Sequence, residues 1–303
     1  MNGFYKIVKT PWKYFRLFLV TILSKSYFIP DKPYLKVIYR LMMNRKLNLD
    51  NPRTFNEKIQ WLKLYDRKPE YTMMVDKAAV KDYATKIIGE EHIIPTIRVY
   101  NTFDEIYFEE LPEQFVMKCT HDSGGLVICR DKSKLNIKAA KKKINFYLRR
   151  KYFYCWREWP YKNVKPRIIV EKYIEDDSGG ELKDYKFFCF NGDVRALFIA
   201  TDRNKPGLET KFDFFDATFN HLPFINGHPN VHKILEKPGN FEEMKELAAK
   251  LSGNIPHVRV DLYNVKGNIY FGEFTFSHFT GMVPFEPEEW DYTFGSWLQL
   301  PEK

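Results

Sequence analysis

Two acidic residues at matched positions of a hairpin are the most informative chemical feature of this 303-residue sequence. The segment His257-Val-Arg-Val-Asp-Leu-Tyr263 is followed by Asn268-Ile-Tyr-Phe-Gly-Glu-Phe-Thr275. Strand side chains alternate faces, so Arg259, Asp261 and Tyr263 share one face while Val258, Val260 and Leu262 share the other. A three-residue loop at 266–268 pairs Val265 with Ile269 and Asp261 with Glu273. Carboxylates directly opposite repel by up to about 1 kcal/mol. A divalent cation between them reverses the sign, and Mg²⁺ takes few carboxylates together with phosphate oxygens. A register shifted by one residue would leave both acids solvated or paired with Arg259.

Three further segments carry chemistry of a related kind. In Phe115-Val-Met-Lys118-Cys-Thr-His121-Asp-Ser-Gly-Gly125 a lysine sits in an apolar strand before a small-residue loop. That arrangement can offer one ammonium and several backbone N–H groups to a polyphosphate. The plain reading is an edge-strand lysine and a turn. Val170-Glu171-Lys172-Tyr173-Ile174 runs into the acidic turn Glu175-Asp176-Asp177. It can present main chain to a purine and an acid to ribose, or simply end a strand. Asp76-Lys77 opens a stretch through Lys81 whose simplest reading is an amphipathic helix with solvated lysines. No Walker A pattern occurs, so a nucleotide site would not be of that class. Asp213-Phe-Phe-Asp216 has the wrong spacing for an Asp-x-Asp sugar-nucleotide motif and reads as a surface turn.

These segments need elements to hold them. Thr54-Phe55-Asn56-Glu57 is a capping box opening a helix through Tyr65, stopped by Pro69. A second helix is predicted over Met73–Ile87 before Gly89, a basic one over Ser133–Tyr152, and one over Asn240–Gly253 with Asn240 as cap. Short strands are predicted at Ile94–Val99, Phe115–Cys119 and Ile168–Val170. Asn191-Gly192 between apolar runs predicts one hairpin, and Lys266-Gly267 a second. The expected class is α+β with antiparallel sheets rather than a doubly wound parallel sheet.

Composition narrows the partners. At 44% hydrophobic and 17% aromatic the chain is not disordered. Its formal charge of +9 is unevenly placed: residues 1–50 hold ten bases and two acids, net +8, and the remainder is net +1. The body is therefore near neutral, and a nucleic-acid partner is not expected. The apolar run Leu17–Leu23 is seven residues, against about 20 needed to span a bilayer. Basic residues interleaved with Phe4, Trp12, Phe15 and Phe18 suit an interfacial helix on an anionic leaflet, or a helix packed on the body with a basic outer face. Cys119, Cys129, Cys155 and Cys189 match no metal or disulfide spacing and read as buried reduced thiols of a cytoplasmic protein.

Taken in order, these segments resemble the ATP-grasp superfamily and, more closely, the TupA-like ATP-grasp family, named after a teichuronopeptide-biosynthesis protein. The marks are Thr54–Tyr65, Asp76-Lys77, FVMKCTHDSGG, DYKFFCFNG at Asp184–Gly192, and RVDLY with GEFTF. The resemblance covers roughly 50–295. It implies an ATP-grasp fold over 93–295, with a nucleotide-gripping subdomain at about 93–165 and a catalytic one at about 166–295. A helical part at 51–92 and the basic segment 1–50 precede it. It implies that Lys77 and Lys118 contact ATP phosphates, and that Ser123, Gly124 and Gly125 grip them. Lys172, Tyr173 and Ile174 would hold adenine through main chain, with Glu171 beside its amino group. One of Glu175, Asp176 and Asp177 would take the ribose, Asp177 being the candidate carried forward. Lys186 would reach the phosphates, Asp261 and Glu273 would hold Mg²⁺, and Arg259 would stabilise developing charge. Thr275 stands where ligases of the superfamily usually place Asn, and would complete the metal set as a weaker oxygen ligand, leaving one or two Mg²⁺ open.

The implied function is an ATP-dependent carboxylate–amine ligase. It would join an amino acid or amine to a sugar acid during assembly of a surface polysaccharide, at the inner face of the membrane. A glycosyltransferase of the same machinery and a non-catalytic nucleotide-binding protein are the competing readings.

Overall fold

The computed structural model describes residues 11–175, 182–203, 207–231 and 235–302. Helices α1 (Pro11–Leu23) and α2 (Asp31–Met43) precede α3 (Phe55–Tyr65), α4 (Glu70–Val75) and α5 (Ala79–Ile88). A four-stranded antiparallel sheet follows: β1 (Thr96–Tyr100), β2 (Phe115–Cys119), β3 (Leu126–Cys129) and β4 (Ile168–Lys172), in the order β1-β4-β2-β3. Helices α6 (Ile137–Leu148) and α7 (Phe153–Trp156) lie between β3 and β4. Next come β5 (Asp184–Phe190), β6 (Asp193–Thr201), β7 (Lys211–Asp216), β8 (His221–Leu222) and β9 (Ile225–Asn226). Helix α8 (Phe241–Ser252), β10 (Val258–Val265), β11 (Asn268–Thr275), β12 (Phe285–Glu286) and α9 (Glu289–Trp297) complete the order. The second sheet is antiparallel with six strands, β11-β10-β5-β6-β7-β8, and β9 pairs with β12. The expected α+β class with antiparallel sheets is the one that forms.

The six-stranded sheet is buried on both faces at its centre, which is why β5 is buried at every position. On one face Tyr185, Phe187, Val258, Val260 and Phe274 meet α8. On the other, Phe188, Phe198 and Phe214 pack under Phe55 of α3 and Phe294 of α9. Towards β11 that second face changes character. Positions 184, 186, 259, 261 and 273 put ionic side chains where phenylalanines stand further along.

Several local expectations are corrected. The helix predicted over Met73–Ile87 is two helices, broken at Asp76-Lys77. The Asp76 carboxylate accepts from the N–H groups of Ala78 and Ala79, and Lys77 N–H donates to Thr120 C=O. The second helix thus restarts on its own side-chain cap, and the break aims Lys77 at β2. The basic helix begins only at Ile137, where Asn136 accepts from Ala139 N–H. Asn240 does not cap α8: its amide donates to Gly267 C=O and its Oδ1 accepts from Asn264, tying the helix to the last hairpin. Asp213 lies in β7, buried and accepting from Val231 N–H, whereas Asp216 holds the turn expected there. Lys118 is on an interior strand, flanked by β3 and β4, so the edge-strand reading fails.

The last hairpin reaches the expected acid pair by a different route. Its loop is two residues, Lys266 and Gly267, both with positive φ, so Val265 pairs with Asn268 and not with Ile269. A bulge that inserts Gly272 then restores Asp261 opposite Glu273. A Cβ on Gly272 would stand 3.0 Å from Asp261 O and 3.1 Å from the Tyr263 ring. Gly272→Val is therefore expected to cost about 1–3 kcal/mol by overpacking, read by chemical denaturation. Unchanged stability would show that this approach does not constrain the hairpin.

Candidate active site

Strand register alone assembles the centre of the site. Lys186 on β5 pairs with Asp261 on β10, and Asp261 pairs with Glu273 on β11, so the three form a row across adjacent strands. Two residues along, on the same face, Phe188, Arg259 and Thr275 form the next row. Facing them are Lys77 at the α4–α5 break, Lys118 on β2 and the loop from Asp122 to Gly125. Together they enclose a cavity of about 130 Å³.

The charges in this cavity are fully cross-linked. The Arg259 guanidinium donates to both Asp261 oxygens, at 2.7 and 2.8 Å, and to Thr275 Oγ1 at 2.9 Å. Lys186 bonds Asp261 and reaches Asp184 at 2.5 Å, and Asp184 also accepts from Arg203 at 2.7 Å. Lys77 Nζ lies 3.3 Å from Glu273 and donates to Asp122 C=O at 3.1 Å. Lys118 Nζ lies 2.6 Å from Glu171, which also pairs with Lys81. Burial pushes the Glu273 carboxyl up, but Lys77, Lys186 and Arg259 outweigh it and hold it at about 2. Burial also raises the Asp261 carboxyl, against the pull of Arg259 and Lys186.

Behind the row, His278 fixes Arg259. Its Nδ1 accepts from Arg259 Nη1 at 2.8 Å, and its Nε2 donates to Asn226 Oδ1 at 3.0 Å, since the Asn226 amide donates to Val283 and Pro284 carbonyls. This network assigns the neutral Nε2–H tautomer. Burial, with Arg259 adjacent, keeps the imidazole well below its usual pKa.

The loop explains its glycines by contact. A Cβ on Gly124 would fall 2.3 Å from the Tyr147 ring, and one on Gly125 would fall 2.4 Å from Cys119 Sγ. Ser123 Oγ lies 3.5 Å from Tyr152 OH, and Asp122 accepts from Gly124 N–H.

Of the residues singled out from sequence, Lys77, Lys118, Ser123, Gly125, Lys186, Asp261 and Glu273 line this cavity. Gly124 sits within its loop. Arg259 and Thr275 stand behind the carboxylates. Glu171 is buried beneath, its carboxylate engaged by the two lysines. Lys172 and Tyr173 line a different, open cleft of about 690 Å³ at the far end of β4, where Arg130 donates to Tyr173 OH. Ile174 follows half-buried, and Asp177 lies outside the described residues. Sequence reasoning gave no role to Asp184, Arg203, Lys81, Asp122 or His278. Asp184 and Lys186 share a strand face at i and i+2, the one pattern that could have marked the former.

The donor set suits a hard cation bound with help. Among the described residues no group of three or more His, Cys, Asp or Glu forms a metal cluster. Asp261 and Glu273 offer two carboxylates, so a divalent ion here would need oxygens from a ligand, as Mg²⁺ does on phosphates.

The Glu273 pKa carries a stability consequence. Its folded value is depressed, so the stabilisation is present above the unfolded value of about 4.5 and is lost as pH falls towards 2. Glu273→Gln should lower the melting temperature by about 2 °C near neutrality, allowing for partial exposure, with the gap closing between about pH 4.5 and 2. A pH-independent gap in thermal scans would refute the ionic account.

Residues 57–299 match the family model described as TupA-like ATPgrasp. No curated protein matches the chain by sequence. Among solved structures, D-alanine–D-alanine ligase from Bacillus anthracis complexed with ATP is similar at 16% identity, over 67% of this chain and 55% of that one, with a TM-score of 0.42. D-alanine–D-alanine ligase from Helicobacter pylori is similar at 12% identity, over 81% and 69%, with a TM-score of 0.40. The ATP-grasp ligase PsnB complexed with a phosphomimetic variant of its minimal precursor, Mg and ADP is similar at 8% identity, over 73% and 58%, with a TM-score of 0.40. The chain thus spans just over half the length of the Bacillus anthracis ligase. With the family model covering most of the sequence, the chain belongs to the TupA-like ATP-grasp family.

Proposed function

We propose that this protein is an ATP-dependent carboxylate–amine ligase that works through an acyl phosphate. The observation that carries this reading is the row Lys186–Asp261–Glu273 facing Lys77, Lys118 and a glycine loop across one small cavity. A carboxylate is a poor electrophile with a poor leaving group. Attack of its oxygen on the γ-phosphorus of ATP releases ADP and leaves an acyl phosphate. An amine nitrogen then displaces phosphate and loses its proton to form the amide.

Each part of the chain has a task in that sequence. Lys77, Lys118 and Lys186 balance phosphate charge, and the Ser123–Gly125 loop binds phosphate oxygens through its N–H groups and keeps water from the acyl phosphate. Asp261 and Glu273 would hold Mg²⁺, which supplies charge neutralisation at the phosphate oxygens when bound. Arg259, held rigid by Asp261, Thr275 and His278, presents fixed positive charge to the transferred group. Main chain at Lys172–Ile174 holds adenine, and an acid in 175–177 takes the ribose. The substrate is a polysaccharide precursor bearing a carboxylate, joined to an amino acid or amine. Family membership supports that choice, and ATP use puts the reaction in the cytoplasm.

ADP and phosphate release, measured with Mg-ATP over a panel of sugar acids and amines, tests the reading. Lys118→Ala and Asp261→Asn should each lower kcat by about 10² or more. Wild-type protein that binds UDP-sugars but not Mg-ATP in a thermal-shift comparison would overturn it. A second variant separates two roles for Thr275. If its hydroxyl positions Arg259, Thr275→Val lowers kcat roughly tenfold at an unchanged Mg²⁺ requirement. A raised Mg²⁺ requirement would make it a metal ligand instead.

A further inference from the structure

The two longest acid-free stretches of the chain are residues 1–30, with five Lys/Arg, and 132–157, with ten. They are a hundred residues apart in sequence, yet the fold joins the α1–α2 corner to the end of the second stretch. The fully buried Arg157 donates to the carbonyls of Ser26 and Ile29, pairs with Asp31 at 3.0 Å and lies 4.0 Å over the Tyr34 ring. Tyr34 OH donates to Cys155 C=O at 2.8 Å. Tyr27 packs on Tyr154 with centroids 4.5 Å apart, and Lys151 Nζ lies 5.1 Å over the Tyr27 ring.

The joined surface is both apolar and cationic. On α1, Phe15, Phe18 and Ile22 recur at helical spacing and are exposed, and at the α1–α2 corner Phe28 is 86% exposed. On α6, Phe146 is 67% exposed beside Lys142, Lys143 and Arg149, which are exposed and have no ion-pair partner among the described residues. These α6 residues line a shallow cleft of about 860 Å³. Among the described residues no helix is long and apolar enough to cross a membrane.

We infer that α1, the α1–α2 corner and the C-terminal half of α6 form one docking surface for an anionic lipid bilayer. Exposed aromatic side chains flanked by unpaired lysines and arginines are what partition into the interface of a negatively charged leaflet. Among the described residues the exposed bases come from Lys25 at the corner as well as from Lys142, Lys143 and Arg149, so the surface is a product of the fold and not of the N-terminal segment alone. It also adjoins the site: Tyr147 of α6 is the ring on which Gly124 rests, and Tyr152 is the neighbour of Ser123.

Vesicle co-sedimentation of the full chain without nucleotide tests this independently of the ligase reading. The vesicles are phosphatidylcholine alone or with one third phosphatidylglycerol. Wild-type protein should sediment with the anionic vesicles only, and less so as salt rises. Each basic side chain at such a surface is worth roughly fivefold in partitioning. The pair Lys142→Glu and Lys143→Glu, which leaves residues 1–50 intact, should therefore reduce binding by at least about twentyfold. Phe28→Ser should also reduce it, and both variants should keep the wild-type melting temperature. Wild-type partitioning by the α6 pair would overturn the composite surface and leave the N-terminal segment as the sole determinant. Absent or equal binding to both vesicle types, or displacement by an equimolar single-stranded oligonucleotide, would overturn the lipid assignment.

Discussion

Charges held in a cavity of this size must compensate one another, and the rest of the structure follows from that constraint. Asp184, Asp261, Glu273 and Asp122 line it together with Lys77, Lys118, Lys186 and Arg203. Unpaired, the buried Asp184 and Asp261 would each cost several kcal/mol. Asp261 is accordingly met by Lys186 of the neighbouring strand, Glu273 by Lys77 from the helix break, and Asp184 by Arg203 just beyond β6. In the ligase reading proposed above, the lysines would leave the carboxylates for phosphates while a divalent cation took their place. The Lys77–Glu273 contact, at 3.3 Å, is the longest of these pairs and the one that crosses between the two halves of the cavity.

The phenylalanine-rich half of the six-stranded sheet supports that exchange by being unable to take part in it. Phe188 and Phe198 continue the same face as Lys186 and Arg259 but offer no polar atom. The Arg259 guanidinium stands 5.5 Å from the Phe198 ring, and the neutral His278 packs edge-on against Phe188. Arg259 is thus anchored on three sides by Asp261, Thr275 and His278. Its charge is fixed in place before any ligand arrives, which is the property electrostatic catalysis needs. At Thr275, where Asn is usual, the hydroxyl accepts a hydrogen bond from the arginine.

The acid pair, the strand lysine and the glycine loop were legible in the sequence because alternation and spacing act over a few residues. Asp261 opposite Glu273 was legible even though two compensating features, a shorter loop and the Gly272 bulge, were not. A bulge leaves almost no local signal beyond a glycine in a strand. The break at Asp76-Lys77 was hidden because its cause is partly tertiary: Asp76 caps the second helix but is also paired with Arg167, and Lys77 N–H is held by Thr120. Lys81 and Asp184 were missed for the same reason, since their partners Glu171 and Arg203 come from other elements. The role of Arg157 could not be read at all, because its partners Ser26, Ile29, Asp31 and Tyr34 are brought to it only by the fold.

That arginine links what composition kept apart. The charge of the chain, read by position, singles out an N-terminal segment of net +8 on a near-neutral body. The body nevertheless contains 132–157, whose ten bases are balanced by acids elsewhere in the sequence and so vanish from any domain-level sum. Net charge is a scalar, whereas recognition depends on the local field within about one Debye length. Arg157 ties the α1–α2 corner to the end of this second stretch, which also contains the helix whose Tyr147 shapes the glycine loop. The cationic face of that helix, with Lys142, Lys143 and Phe146, and the ring that shapes the glycine loop therefore belong to one element.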